Sequence, residues 1–166
     1  VSAPIVLGVS VSPFAGVYFG TLASGEPFAL FVGPDAVGAL IGFRAGGNQA
    51  VIARGFIVQS DGTFTATGET ITRQLASLYT GTVTGVVGAG TVTGNLVAGD
   101  IAFFGTQKMA TGGSGSIAGY YQGVTIAAAL GEMHVIVAAD GTLQLVALDT
   151  TGARAASGQV TATGAF

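Results

Sequence analysis

The chain has 166 residues, enough for one domain with a substantial buried core. Only 8% of them are charged, against about 25% in ordinary soluble domains, and the five basic residues (Arg44, Arg54, Arg73, Lys108, Arg154) are scattered. That excludes a phosphate-tracking patch, and with it nucleic acid as a partner; the absence of cysteine excludes disulfides and thiolate metal sites.

The chain opens Val1-Ser2-Ala3-Pro4 without an initiator methionine, as an exported, processed chain or a trimmed one does. Residues 4–12 then alternate strictly. Ile5, Leu7, Val9 and Val11 fall on one face, and Val6, Gly8, Ser10 and Ser12 on the other, the pattern of a half-buried strand. Pro4 and Pro13 bracket it, which suits an edge strand or one joined to its body by a stiff hinge. Residues 1–13 therefore read as an N-terminal strand extension and 14–166 as a single β domain. The strand pairs either within its own sheet or with a neighbouring subunit.

A stretch that occurs twice organises the rest. Phe28–Phe43 aligns without a gap on Met133–Leu148, each an apolar run, a turn at Asp35 or Asp140, and a second apolar run. This is the signature of a β-hairpin. The match extends outward: Ala15–Gly20 precedes the first copy as Ala118–Gly123 precedes the second, and Gly62-Thr63-Phe64 closes one as Gly164-Ala165-Phe166 closes the other. Two related units, 15–64 and 118–166, flank a divergent middle segment, a built-up architecture.

In unit one, strands are expected near 16–23, 28–33, 37–43 and 50–59, with Arg44–Gln49 as an exposed loop. The Ser60-Asp61-Gly62-Thr63 turn leads into Phe64–Thr67, since glycine accepts positive φ without steric cost. In the middle segment, Ile71, Leu75 and Leu78 have helical spacing behind Thr70 as an N-cap, which allows one short helix near 70–79. Tyr79–Gly85 and Gly90–Gly94 alternate Thr and Val as strands, followed by another at Ile101–Gln107. Unit two adds Ile117–Val124, Met133–Ala138, Thr142–Leu148 and Ser157–Phe166, with Thr125–Leu130 as a further candidate. The expected fold is all-β: an antiparallel β-sandwich or barrel of two related hairpin units around the middle segment. The stretches 1–25 and 74–99 carry no charge, but both are β-branched and broken by Gly, Ser or Thr, so no transmembrane helix is expected.

No catalytic, cofactor or metal constellation emerges. His134 is the only histidine and lies in an alternating strand at the place of Ala29. It reads as a surface or partner-satisfied side chain rather than a catalytic one. Asp35, Asp61, Asp100 and Asp140 sit in turn contexts where Asp bonds its own backbone. Phosphate-loop, dinucleotide and calcium-loop patterns are missing. The chain is expected not to be an enzyme and to need no cofactor.

Few charges and strong β-propensity leave sheet edges that must be closed or occupied. Through Ile5, Leu7, Gly8, Val9 and Val11, followed by a β-rich body ending in Phe166, the chain resembles bacterial β-sandwich pilins, although it has no cysteine pair. The resemblance implies polymerisation in which the N-terminal strand of one subunit completes the sheet of the next. The expected function is a structural, self-assembling subunit of an extracellular or cell-surface filament, a homopolymer. The alternatives are a ligand- or partner-binding β-barrel and an outer-membrane barrel.

Overall fold

Alternating apolar and small or polar residues make strands of nearly every segment seen in the computed structural model, which describes residues 10–71, 77–96, 101–109, 116–125, 131–149 and 152–161. Eight strands form a closed antiparallel barrel: β1 (Gly16–Leu22), β2 (Pro27–Val32), β3 (Val37–Arg44), β4 (Gln49–Ile57), β5 (Thr63–Ile71), β6 (Ser77–Val87), β7 (Thr91–Leu96) and β8 (Ile101–Met109). Each pairs with its neighbour in the chain, and β1 closes on β8. Four more strands, β9 (Gly119–Thr125), β10 (Gly131–Val137), β11 (Thr142–Asp149) and β12 (Gly152–Gln159), form a separate antiparallel sheet in the order β12-β11-β10-β9. Among the described residues the only helical element is the 3₁₀ turn Ala45–Gly47, closed by Asn48 in the left-handed region.

The all-β expectation holds, in the form of a barrel with a second sheet laid on it. The short helix allowed near 70–79 is not found at its two ends. Thr70 and Ile71 finish β5 and Ser77–Tyr79 begin β6; residues 72–76 lie outside the described residues. The last strand runs over Gly152–Gln159, earlier than the expected Ser157–Phe166, of which 162–166 lie outside the described residues. It starts early because Asp149 pairs with Gly152, where Asp149 Oδ1 accepts from the Gly152 amide at 3.0 Å.

The barrel interior is filled by side chains rather than by a lumen. Tyr18, Phe28, Phe56, Phe64 and Phe103 are its largest members, with Phe28 and Phe103 rings 4.9 Å apart and Phe56 stacked on Phe64 at 4.9 Å. Room for these rings comes from glycines at inward positions. Gly20 and Gly105 are cross-strand partners beneath the Phe28 ring, and Gly85 and Gly94 are partners between Phe64 and Phe103. Small residues under aromatic rings let a narrow barrel bend tightly and keep its core filled.

The outer face of β1–β4 carries a second apolar surface: Val17, Ala29, Ile41 and Ile52, flanked by Phe19, Phe31 and Phe43. The β9–β12 sheet covers it with Ile136, Val146, Leu148 and Ala153. β10 lies against β2, β11 against β3 and β12 against β4.

Candidate interaction surface

The two related units share strand order, and β9–β11 pair in the same register as β1–β3. Phe28 pairs with Gly42, Leu30 with Leu40 and Val32 with Gly38; at the same rungs Met133 pairs with Ala147, Val135 with Leu145 and Val137 with Leu143. On the other side, Phe28 pairs with Gly20 and Leu30 with Tyr18, as Met133 does with Gly123 and Val135 with Tyr121. Local details repeat as well. Tyr18 donates its hydroxyl to the Phe14 carbonyl at 2.8 Å and Tyr121 donates to Ile117 at 2.8 Å. Asp35 Oδ1 accepts from the Val37 amide and Asp140 Oδ1 from the Thr142 amide, at 3.2 and 2.9 Å. The β9–β12 sheet is thus the counterpart of β1–β4, half of a barrel.

Its environment differs from that of its counterpart. Strands β5–β8 close over the inner face of β1–β4, so Tyr18, Leu30 and Leu40 are 0–1% exposed. The matching inner face of β9–β12 is an apolar cleft of about 270 Å³ lined by Ile117, Tyr121, Met133, Val135, Val137, Leu143, Leu145 and Val160. Tyr121 is 49% exposed, and Met133, Val135 and Leu145 are half-buried. Gly20 is hemmed in by Gly105 and the Phe28 ring, while a Cβ on its counterpart Gly123 would meet only Met133 Cε, at 3.8 Å. Among the described residues β9 pairs only with β10, and β12 only with β11. Both edges of the half-barrel are thus unpaired among the described residues, the arrangement that invites another strand.

The remaining barrel surface is polar. Thr63, Thr65, Thr67, Thr80, Thr82, Thr84, Thr91 and Thr93 point outward from β5–β7, with Ile57 at the end of β4 and Val86 and Phe104 on either side of Thr93 as apolar exceptions. An apolar interior inside a threonine coat is the inverse of a transmembrane barrel. No helix among the described residues is long and apolar enough to cross a membrane.

A polar group sits where the seam between barrel and half-barrel meets solvent. Arg54 on β4 donates to Gln122 Oε1 on β9, and Gln122 Nε2 donates to Glu132 Oε1 at 3.3 Å. His134, at the place of Ala29, is 1% exposed; its Nδ1 lies 2.7 Å from the Tyr120 hydroxyl, with the rings stacked at 6.0 Å. Its Nε2 lies 3.6 Å from Glu132 Oε2, too long for a hydrogen bond, and is buried without a partner. Burial pushes the His134 pKa below its ordinary value, aided by Arg54 and opposed by Glu132 and Glu69. The imidazole is accordingly neutral at pH 7. A cleft of about 300 Å³ lined by Arg54, Thr67, Glu69, Glu132 and His134 opens beside it. Among the described residues no three His, Asp or Glu side chains converge as metal ligands.

This arrangement makes the fold pH-sensitive with a definite sign. The unfolded chain protonates His134 near its ordinary pKa of about 6.5, whereas the folded chain resists protonation. Stability is full above that value and declines as pH falls through it, levelling off only below the lowered folded pKa. The urea midpoint is expected to drop between pH 7.5 and 5.5, and to stay flat over that range in His134→Gln. Because His134 is the only histidine, a step that persists in the variant would contradict the assignment.

Of the residues assigned to an inter-subunit strand, Ile5, Leu7, Gly8 and Val9 lie outside the described residues. Val11 is 60% exposed and in no strand, beside Ser12, whose amide donates to the Pro34 carbonyl at 2.9 Å. His134 is buried rather than superficial, and only its Nδ1 is satisfied, by the Tyr120 hydroxyl. Alternation alone did not single out the inner face of β9–β12, since it looks the same whether a sheet is closed or open. No protein-family model, curated protein or solved structure matches the chain.

Proposed function

We propose that the chain is a structural, self-assembling subunit whose copies join by β-strand pairing at the β9–β12 sheet. One observation carries this reading: β9–β11 repeats β1–β3 rung for rung with β12 in the place of β4, yet among the described residues the sheet keeps two unpaired edges and an apolar inner face where its counterpart is closed. Unpaired strand edges beside exposed apolar surface are where β proteins associate. With 8% charged residues, little on the surface opposes the approach of further copies. An exported, cell-surface assembly of identical subunits fits that composition, with residues 4–12 as one source of a donated strand. The ligand-binding alternative has less support, because the barrel interior is occupied by side chains.

Sedimentation velocity and negative-stain imaging of the full chain in detergent-free buffer test the proposal. Concentration-dependent dimers, larger oligomers or fibres are expected. A monomer at every concentration up to the millimolar range would overturn it.

A further inference from the structure

Resting on that reading, we infer that the partner of the open face is the β9–β12 sheet of a second copy, the two half-barrels closing into one intermolecular eight-stranded barrel. The barrel already in the chain is the template. There, β1–β4 is completed by four strands whose large inward side chains include, among the described residues, Phe64, Val83, Val87, Val92, Leu96 and Phe103. A second β9–β12 sheet brings four strands and six large side chains at inward positions: Tyr121, Met133, Val135, Val137, Leu143 and Leu145. The strand over 4–12 offers only Ile5, Leu7, Val9 and Val11, and one strand cannot pair with both edges of an open sheet at once.

The edges suit such a closure. In β12 the sequence Ala153-Arg-Ala-Ala-Ser-Gly158 is small apart from one residue, and a Cβ on Gly158 would meet nothing within 4 Å. Arg154 stands where the barrel has Val51, but it lies close to the β11–β12 turn, so its long stem can carry the charge to the barrel mouth. With each copy running β9 to β12 antiparallel, two copies related by a two-fold axis keep every neighbouring pair antiparallel, β12 beside β12 and β9 beside β9. Gly123, which has room to spare within one chain, then stands where Gly20 stands in the closed barrel, under inward side chains from across the barrel.

The chain has no cysteine, so a single one reports the face cleanly. Leu145→Cys is labelled with a maleimide at concentrations where the dimer forms, with Leu40→Cys as the buried reference and Thr65→Cys as the exposed one. Alongside, dimer dissociation constants are measured for the full chain, for Val135→Asp and for a chain lacking residues 1–9. The expected result is a dimer in which the thiol introduced by Leu145→Cys is protected. Val135→Asp should weaken it at least about 30-fold, as loss of a hot-spot side chain does, and removal of 1–9 should leave it unchanged. A dimer lost on removal of 1–9 would overturn the pairing of half-barrels while leaving strand-mediated assembly standing. A dimer indifferent to Val135→Asp, with the Leu145→Cys thiol reactive, would overturn it in favour of another surface. A monomer in which that thiol reacts freely would overturn both this inference and the self-assembly on which it rests.

Discussion

Gly94→Val is expected to leave a chain with no cooperative thermal transition, although the position carries no side chain and touches no ligand. A Cβ at Gly94 would overlap the Thr84 carbonyl oxygen and stand 2.5 Å from Phe103 Cζ and 2.8 Å from Gly85 Cα. Two of these neighbours are backbone in the paired strand, so relief requires moving β6 away from β7 or turning the Phe103 ring out of the core. Ordinary overpacking costs about 1–3 kcal/mol in cores whose side chains can yield. Here the ladder itself must yield, and the total stability of a domain is only about 5–15 kcal/mol. Gly94→Ala should already lower the melting temperature sharply, and Gly46→Ala serves as the control because a Cβ there meets nothing within 4 Å. Circular dichroism melts of the three variants check this. A Gly94→Val protein melting close to the parent would mean that the barrel is loosely closed at β6–β7.

Leu40→Ala and Leu145→Ala, the same substitution at equivalent places in the two units, are expected to part company. Leu40 is fully buried opposite Leu30, and its truncation should cost about 2–5 kcal/mol at any protein concentration. Leu145 faces the open cleft opposite Val135 and is only half-buried within one chain. Measured in dilute solution, its truncation should cost less than about 1 kcal/mol, since little new cavity is made. When copies assemble over the face, the same truncation also weakens association, and its cost should rise with concentration through mass action. Urea titrations at two concentrations a hundredfold apart separate the cases. A small, concentration-independent cost at Leu145 would mean that the face stays open to water.

Much of this architecture is legible in the residues themselves. Asp35, Asp61 and Asp140 each bond the amide two residues on, as their turn contexts imply, and the 28–43 and 133–148 alignment survives as identical registers. Those features are local, and local chemistry specifies them. The closure of β1 on β8 joins residues some ninety positions apart and leaves no mark in either strand's alternation. β12 begins earlier than its sequence suggests, since Gly152-Ala-Arg-Ala-Ala-Ser lacks β-branched residues; it is a strand because β11 offers it a ladder. His134 shows no sign of burial in sequence because what covers it is the packing of one sheet on another. The clearest missed signal is the inward glycines, Gly20, Gly42, Gly85, Gly94 and Gly105. They fall in step with the apolar positions and mark the rungs where rings from neighbouring strands must fit.

Identical registers in two halves of one chain also create an isomerism of closure. Strands β5–β8 can in principle be capped by β1–β4, joined to them between Ile57 and Thr63, or by β9–β12, joined to them between Met109 and Gly119. A ring made of β5 to β12 has the same strand count and the same up-and-down order as the native one. The pair that closes each ring, β1 with β8 or β5 with β12, is about equally distant in sequence, so loop closure separates the two routes little. What favours the native partner is side-chain fit. Phe28 fills the hollow over Gly20 and Gly105 where Met133 would hang loosely, and Gly38 clears a place for Phe56 that Leu143 would occupy. Molecules that close through β9 first should register in pulse-labelled hydrogen exchange during refolding as early protection at the β9 edge that is later surrendered to β1. Refolding with no such transient would mean that β1–β4 reaches β8 first. The duplication thus turns the last stage of folding into a contest between two near-equal halves, decided by one phenylalanine and the glycines beneath it.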